Sequence, residues 1–221
     1  MRIRHHVNPL RLWRAIDRPE RIELPAKKEA KKEIGAGTAG AGAGAEVEVE
    51  VGCAEGLFLL GRAQQDPSRL EVGIEIRHEL VKALNTRAER EGLAVRAVFA
   101  NANLHLSSVL ASRSVARLFV NFPDPWFKRR HHKRRMLDSA LARDCHQVLR
   151  PGGELFFQSD VFAVALEAME ILERLDDCYV NRAGPWSFWK AGNPYGVCSR
   201  REAHCQALGR PIWRLLYNAR G

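Results

Sequence analysis

The chain of 221 residues has no apolar stretch near the ~20 residues that a membrane-spanning helix needs. Its opening, MRIRHHVNPLRLW, holds no long apolar core and does not read as a secretory signal. The five cysteines, Cys53, Cys145, Cys178, Cys198 and Cys205, form no C-x-x-C pair. An odd number in a chain of this size points away from a disulfide scaffold and toward reduced thiols in a cytoplasmic protein. Cys198, His204 and Cys205 match no standard zinc spacing, so no metal is expected. There is no internal repeat and no G-x-G-x-x-G dinucleotide fingerprint.

What is present is a globular composition, 46% hydrophobic and 28% charged, with enough chain to bury a sizeable core. Lys and Arg number 35 against 26 Asp and Glu, a formal net charge of +9. The excess is clustered. In NFPDPWFKRRHHKRRM, residues 121–136, a single carboxylate, Asp124, sits between two prolines, and eight successive Lys, Arg or His residues follow. So dense a block fits a nucleic-acid backbone better than a solvated helix start, because positive charge at a helix N-terminus is unfavourable by itself.

Composition divides the chain into three parts. Residues 1–34 read as a basic N-terminal arm that includes the charge run KKEAKKE, and 35–45, GAGTAGAGAGA, as an Ala/Gly-rich linker. A phosphate-binding glycine loop should follow a strand, whereas this run precedes one. From residue 46 to 221 strands and helices alternate. EVEVEV, LEVGIEI, AVRAVFA, VARLFVNF and ELFFQSD are predicted strands, with CYVNRA and PIWRLLYN as two closing strands. Helices are predicted over 56–65, 77–92, 136–153 with a stop at Pro151-Gly152, and 161–175. This order argues for an α/β fold with a mainly parallel sheet.

In such sheets ligands bind beyond the carboxyl ends of the strands. Those ends carry Glu50 with the loop Gly52 to Gly56, then Glu75, Asn101, Asp124 and Asp160. Any one of these carboxylates could be a turn or helix cap; five together favour a ligand crevice. Glu75 lies about 20 residues beyond the glycine loop, where an acid holds ribose hydroxyls. Glu50 and Glu55 would repel a pyrophosphate and suit an ammonium and a sulfonium, which points to S-adenosylmethionine.

These residues carry a specific resemblance. The stretch from Glu46 to Tyr217 resembles the bacterial tRNA (guanine-N7)-methyltransferase family in EVGCAEG, in Gly73-Ile74-Glu75, in FPDPWFK followed by HHKRR, and in SRRE ahead of GRPIWRLLY. The resemblance implies a Rossmann-like class I methyltransferase domain over 46–221: a mostly parallel seven-stranded sheet flanked by helices, with the last strand antiparallel. It implies methyl transfer from S-adenosylmethionine to N7 of a guanine in the tRNA variable loop. Cofactor contacts would fall on Glu50, Gly52, Gly56, Glu75 and Asn101, and the catalytic carboxylate on Asp124. Substrate contacts would fall on Lys128, Asp160, Ser199, Arg200, Arg201 and Glu202. Ala54 stands where the family usually has glycine, which crowds the cofactor if φ there is positive. Ser199 replaces Thr and keeps the hydroxyl. Asn101 replaces a frequent Asp and can still meet the adenine edge.

The chemistry is consistent with one carboxylate. Guanine N7 has an in-plane lone pair and no proton, so attack needs alignment and no general base. Asp124 accepting from guanine N1–H and N2–H₂ would select the base and offset its developing positive charge. Arg129, Arg130, Lys133, Arg134 and Arg135 would neutralise tRNA phosphates. Trp126 either packs under the loop or, like Phe127, stacks on a base. The competing readings are a methyltransferase of another RNA or a small molecule, and a non-catalytic RNA-binding relative. A monomer or homodimer is expected, with no obligate protein partner.

Overall fold

The computed structural model describes residues 19–23, 44–127 and 135–221. The elements are β1 (Val47–Val51), α1 (Leu57–Gln65), β2 (Leu70–Glu75), α2 (His78–Glu91), β3 (Val95–Phe99), α3 (Ala102–Val109), β4 (Val115–Asn121), α4 (Ser139–Val148), β5 (Leu149–Ser159), α5 (Phe162–Glu173), β6 (Tyr179–Asn181), α6 (Arg200–Ala207) and β7 (Trp213–Ala219). Among the described residues one sheet runs β3-β2-β1-β4-β5-β7-β6. β1 to β5 are parallel, and β7 is antiparallel to both β5 and β6. The strand order reverses between β1 and β4, so a crevice opens at their carboxyl ends.

Alternation along the strands sends side chains to two cores. Val47, Val49 and Val51 join Leu106 of α3, Leu141 of α4 and Ala165 of α5 on one face. Phe119 and Phe156 meet Phe58 and Leu59 of α1 and Leu84 of α2 on the other. Strict alternation usually marks a half-solvated strand, yet all of β1 is buried. Its glutamates lie under α1. Glu48 is wholly buried and accepts a fork from Arg62, at 2.9 Å from Nε and 2.8 Å from Nη2, plus a 2.6 Å bond from Arg117. Arg62 also donates to the Tyr195 carbonyl at 2.7 Å, which ties the loop before α6 to the central strand.

The structure adds two helices, α3 and α6, where the sequence reading assigned none. Each is eight residues long and opens on a side-chain cap. Asn101 accepts from the Asn103 N–H, and Ser199 from the Glu202 N–H. The helix predicted over 136–153 is shorter at both ends. Asp138 caps it by accepting from the Leu141 N–H at 2.8 Å, and Leu149 already pairs with Val115 in the sheet. Pro151 and Gly152 therefore belong to an irregular start of β5 and do not stop the helix. Residues 19–23 of the predicted arm lie against the domain. Ile22 is buried in the core and its N–H meets the Val109 carbonyl at 2.8 Å. The linker 35–45 falls outside the described residues apart from Gly44 and Ala45.

Glu71 of β2 stands opposite Glu48 in the register and is equally buried. Neither of its oxygens reaches a donor. Burial first, and then the neighbouring Glu48, push its pKa well above the carboxylate range; once protonated, it donates to Glu48. The folded state thus holds a proton that the unfolded chain loses near the ordinary glutamate value of 4.5, and stability falls as pH rises from there. Glu71→Gln keeps a donor toward Glu48 without the titration. It should flatten the decline between pH 5 and 8 and raise stability at pH 8 by about 1–2 kcal/mol, read by urea denaturation. A variant as pH-sensitive as the parent would mean Glu71 is ionised in the fold.

Candidate active site

A cavity of about 620 Å³ opens at the β1/β4 switch point, within the range of small-molecule and cofactor sites. Its floor is the loop from Gly52 to Gly56. The Gly52 N–H meets the Ile74 carbonyl at 2.7 Å, and the Gly56 N–H meets that of Cys53 at 2.8 Å. Both glycines have positive φ, 76° and 67°. A Cβ on Gly56 would come within 2.2 Å of the Leu84 side chain, and one on Gly52 within 2.8 Å of Met136. Ala54 adopts φ 51°, so a left-handed conformation that favours glycine is here imposed on an L-residue.

Three of the predicted strand-end carboxylates and an amide gather around this loop. Glu50 is 4% exposed; its Oε1 accepts from Asn121 Nδ2 at 2.8 Å, while its Oε2 has no partner. Burial pushes its pKa up to about 8; the Asn121 hydrogen bond opposes this and nearby Glu75 adds to it. Glu75 accepts the Ala54 N–H at 2.9 Å and a fork from Arg77, at 2.8 Å from Nε and 2.9 Å from Nη2. Arg77 is raised in pKa first by those bonds, and the charge of Asp124 adds to the shift. Asn101 is buried on the cavity wall with its Oδ1 on the α3 cap. Asp124 and Trp126 line the same cavity, half-buried, whereas Phe127 is 74% exposed. Phe122 and Trp126, on either side of Asp124, have φ 49° and 43°. Left-handed backbone costs an L-residue about 1–2 kcal/mol, so this turn is held in place by its surroundings.

The remaining predicted residues fall into two groups. Ser199, Arg200 and Arg201 line the cavity. Arg200 pairs with Glu55 at 3.0 Å, and Arg201 with Asp160 at 2.5 Å. Glu202 departs from the expected substrate contact. It is wholly buried, and its oxygens accept from Gln158, Asn193 and Arg214, so it presents no surface to an RNA. Lys128, Arg129, Arg130, Lys133 and Arg134 lie outside the described residues. Arg135 is turned inward: it donates to the Pro125 carbonyl at 3.0 Å and pairs with Glu167 of α5, which ties the Asp124 turn to the domain. Sequence reasoning did not single out Arg77, Asn121 or Met136, and weighed His204 only as a zinc ligand; all four line the cavity. Arg77 and Asn121 carried a usable signal, since each is polar and adjoins a strand end already flagged.

A family model described as "Putative methyltransferase" matches residues 45–215. A tRNA (guanine-N(7)-)-methyltransferase of Parasynechococcus marenigrum is 38% identical over 219 residues, covering 97% of this chain and 87% of that protein. One from Synechococcus sp. (strain WH7803) is 39% identical, covering 97% and 86%. The chain belongs to the tRNA (guanine-N(7)-)-methyltransferase family. Among solved structures, a SAM-dependent O-methyltransferase from Thermotoga maritima superposes with a TM-score of 0.54 at 16% identity, covering 83% of this chain and 61% of that one. An rRNA methylase from Streptococcus thermophilus also reaches 0.54, at 10% identity, covering 80% and 88%. At those identities the likeness is one of fold, and it agrees with the Rossmann-like sheet of this family member.

Ala54→Gly should relieve the left-handed strain while the backbone bond to Glu75 persists. The greater freedom of glycine in the unfolded chain offsets part of the gain, so a net increase of about 0.5–1 kcal/mol is expected in chemical denaturation. A loss of stability would show that the alanine methyl is needed for packing.

Proposed function

We infer that this protein transfers a methyl group from S-adenosylmethionine to N7 of a guanine in the variable loop of tRNA. The observation that carries the reading is the buried, unpartnered Oε2 of Glu50 in the same cavity as Asp124. An orphaned buried acceptor calls for a donor from a ligand, and an ammonium supplies one. The residues present therefore fit the cofactor. Glu50 would take its ammonium, Gly52 and Gly56 would allow its close approach, and Glu75 with Asn101 would hold the ribose and adenine. Glu75 is now forked by Arg77, so ribose hydroxyls would share that carboxylate with the guanidinium or displace it. When bound, S-adenosylmethionine supplies an electrophilic methyl on a sulfonium.

The protein's part is then placement. Asp124, held on its strained turn, would accept from guanine N1–H and N2–H₂ and oppose the positive charge that grows on the ring. Nothing has to remove a proton, since N7 carries none. Arg200 and Arg201 sit at the cavity with exposed side chains, and each can exchange its carboxylate for a phosphate. Lys128, Arg129, Arg130, Lys133 and Arg134 would neutralise further phosphates. No described helix is long and apolar enough to cross a membrane.

Asp124→Asn tests the assignment. Its NH₂ would oppose one guanine donor, and the charge would be gone. Single-turnover methylation should slow by at least about 10–100-fold, with tRNA affinity, dominated by phosphates, little changed. A near wild-type rate in saturating tRNA and cofactor would remove Asp124 from the reaction. A second expectation concerns Glu50. An ammonium favours its ionised form, so binding expels the proton held by the raised pKa. Affinity for S-adenosylhomocysteine should rise between pH 6 and 7.5 by up to about tenfold per pH unit. A flat calorimetric profile would mean that Glu50 is already ionised or does not meet the ammonium.

A further inference from the structure

Behind Glu50 a row of polar side chains crosses the sheet. Asn121, Gln158 and Arg214 are register partners on β4, β5 and β7. Gln158 is wholly buried. Arg214 Nε donates to Gln158 Oε1 at 3.2 Å, and Gln158 Nε2 donates to Glu202 Oε2 at 3.0 Å and to Asn121 Oδ1 at 2.9 Å. Asn121 Nδ2 then donates to Glu50 Oε1 at 2.8 Å. Arg214 Nη2 closes the far end on Glu202 Oε1 at 2.9 Å.

The ends of this row leave its middle no choice. A guanidinium only donates and a carboxylate only accepts. The Arg214–Glu202 pair therefore turns the Gln158 amide so that its oxygen faces the arginine and its NH₂ faces Glu202 and Asn121. The Gln158 NH₂ in turn obliges Asn121 to offer its oxygen, which aims the Asn121 NH₂ at Glu50. With Oε1 taken, the acceptor left to Glu50, a residue that lines the cavity, is the buried Oε2. Each amide fixes the next, and all of the partners are at least half-buried, where water competes weakly.

We propose that Gln158 and Glu202 are positioning residues for the cofactor: acting through Asn121, they fix which oxygen of Glu50 faces the ligand's ammonium. This gives Glu202, at the start of the helix beside the substrate side of the cavity, a role without substrate contact. The proposal rests on the cofactor reading above.

The test uses two ligands that differ in the amino-acid portion. S-adenosylhomocysteine carries the ammonium; 5′-methylthioadenosine keeps the adenosine and sulfur and lacks it. Gln158→Met preserves length and leaves Glu202 paired with Arg214 and Asn193. Calorimetry on the full chain should show S-adenosylhomocysteine weakened about tenfold and 5′-methylthioadenosine unchanged within about twofold. Asn121→Leu interrupts the row at its other end and should give the same selective loss, which keeps the idea testable if the first variant folds poorly. Equal weakening of both ligands would mean a structural role alone, and no weakening of either would mean that the row does not act on Glu50; either result overturns the proposal. Wild-type protein that binds neither ligand would instead refute the cofactor reading itself.

Discussion

A carboxylate buried without a counter-charge is among the most costly features a fold can hold, and β1 buries two carboxylates two residues apart, Glu48 and Glu50, on its α1 side. They are resolved in opposite ways. Glu48 receives arginines from α1 and β4, and through them binds the loop at Tyr195 and the acid Glu154 of β5. Such a pair is weak evidence for net stability, but removing one partner is expensive, so the register of β1, β4 and α1 is locked together. Glu50, nearer the carboxyl end, receives only an amide. Burial pushes its pKa up to about 8, so it keeps a proton until a cation from outside the chain favours the ionised form. The first resolution builds the central sheet, and the second creates the demand for a ligand at its edge.

The substrate side obeys a different rule. The ion pairs there, Arg200 with Glu55 and Arg201 with Asp160, have well-exposed arginines. Exposed pairs contribute little and are screened by salt. They are therefore suited to being broken and remade on a phosphate. Asp124 lies between the two regimes, in the same cavity as Glu50 and Arg200, on a turn with left-handed backbone at Phe122 and Trp126. The inward Arg135 braces that turn. Firm support around one acid, beside exposed charge pairs that a phosphate can replace, suits catalysis by alignment.

The sheet was legible because strand signals are local. Period-two alternation in EVEVEV and the apolar run VARLFVN need no knowledge of their neighbours. The short helices α3 and α6 were missed because eight residues carry two turns of pattern at most, and their evident marks are the caps Asn101 and Ser199. Those caps looked like site residues, and both do line the cavity. The gathering of Glu50, Glu75, Asn101 and Asp124 followed from where the strands end. Their hydrogen-bond partners did not. Nothing in EVEVEV says that one glutamate will meet an arginine fork and the next a single amide. Nor does the order of residues tell that Glu202 turns inward, since that depends on Gln158 of β5, Asn193 of the preceding loop and Arg214 of β7 converging on it.

The same acids explain a residue that would otherwise be a liability. Cys53 lines the cavity, beside the position proposed for an electrophilic methyl donor. A thiolate there would be a competent nucleophile. Burial raises its pKa well above the ordinary value, and the charges of Glu50 and Glu75 raise it further, more than Arg77 lowers it. The thiol stays protonated, close enough to the Gly73 backbone that a Cβ there would meet its Sγ at 2.5 Å, and acts as a small apolar side chain. Burial does most to hold that thiol protonated, and the acids that suit a cationic cofactor add to it, so the adjacent sulfur does not compete for the methyl group. The carboxylates of the cavity thus form one electrostatic environment, which contributes both to binding the cofactor and to protecting it.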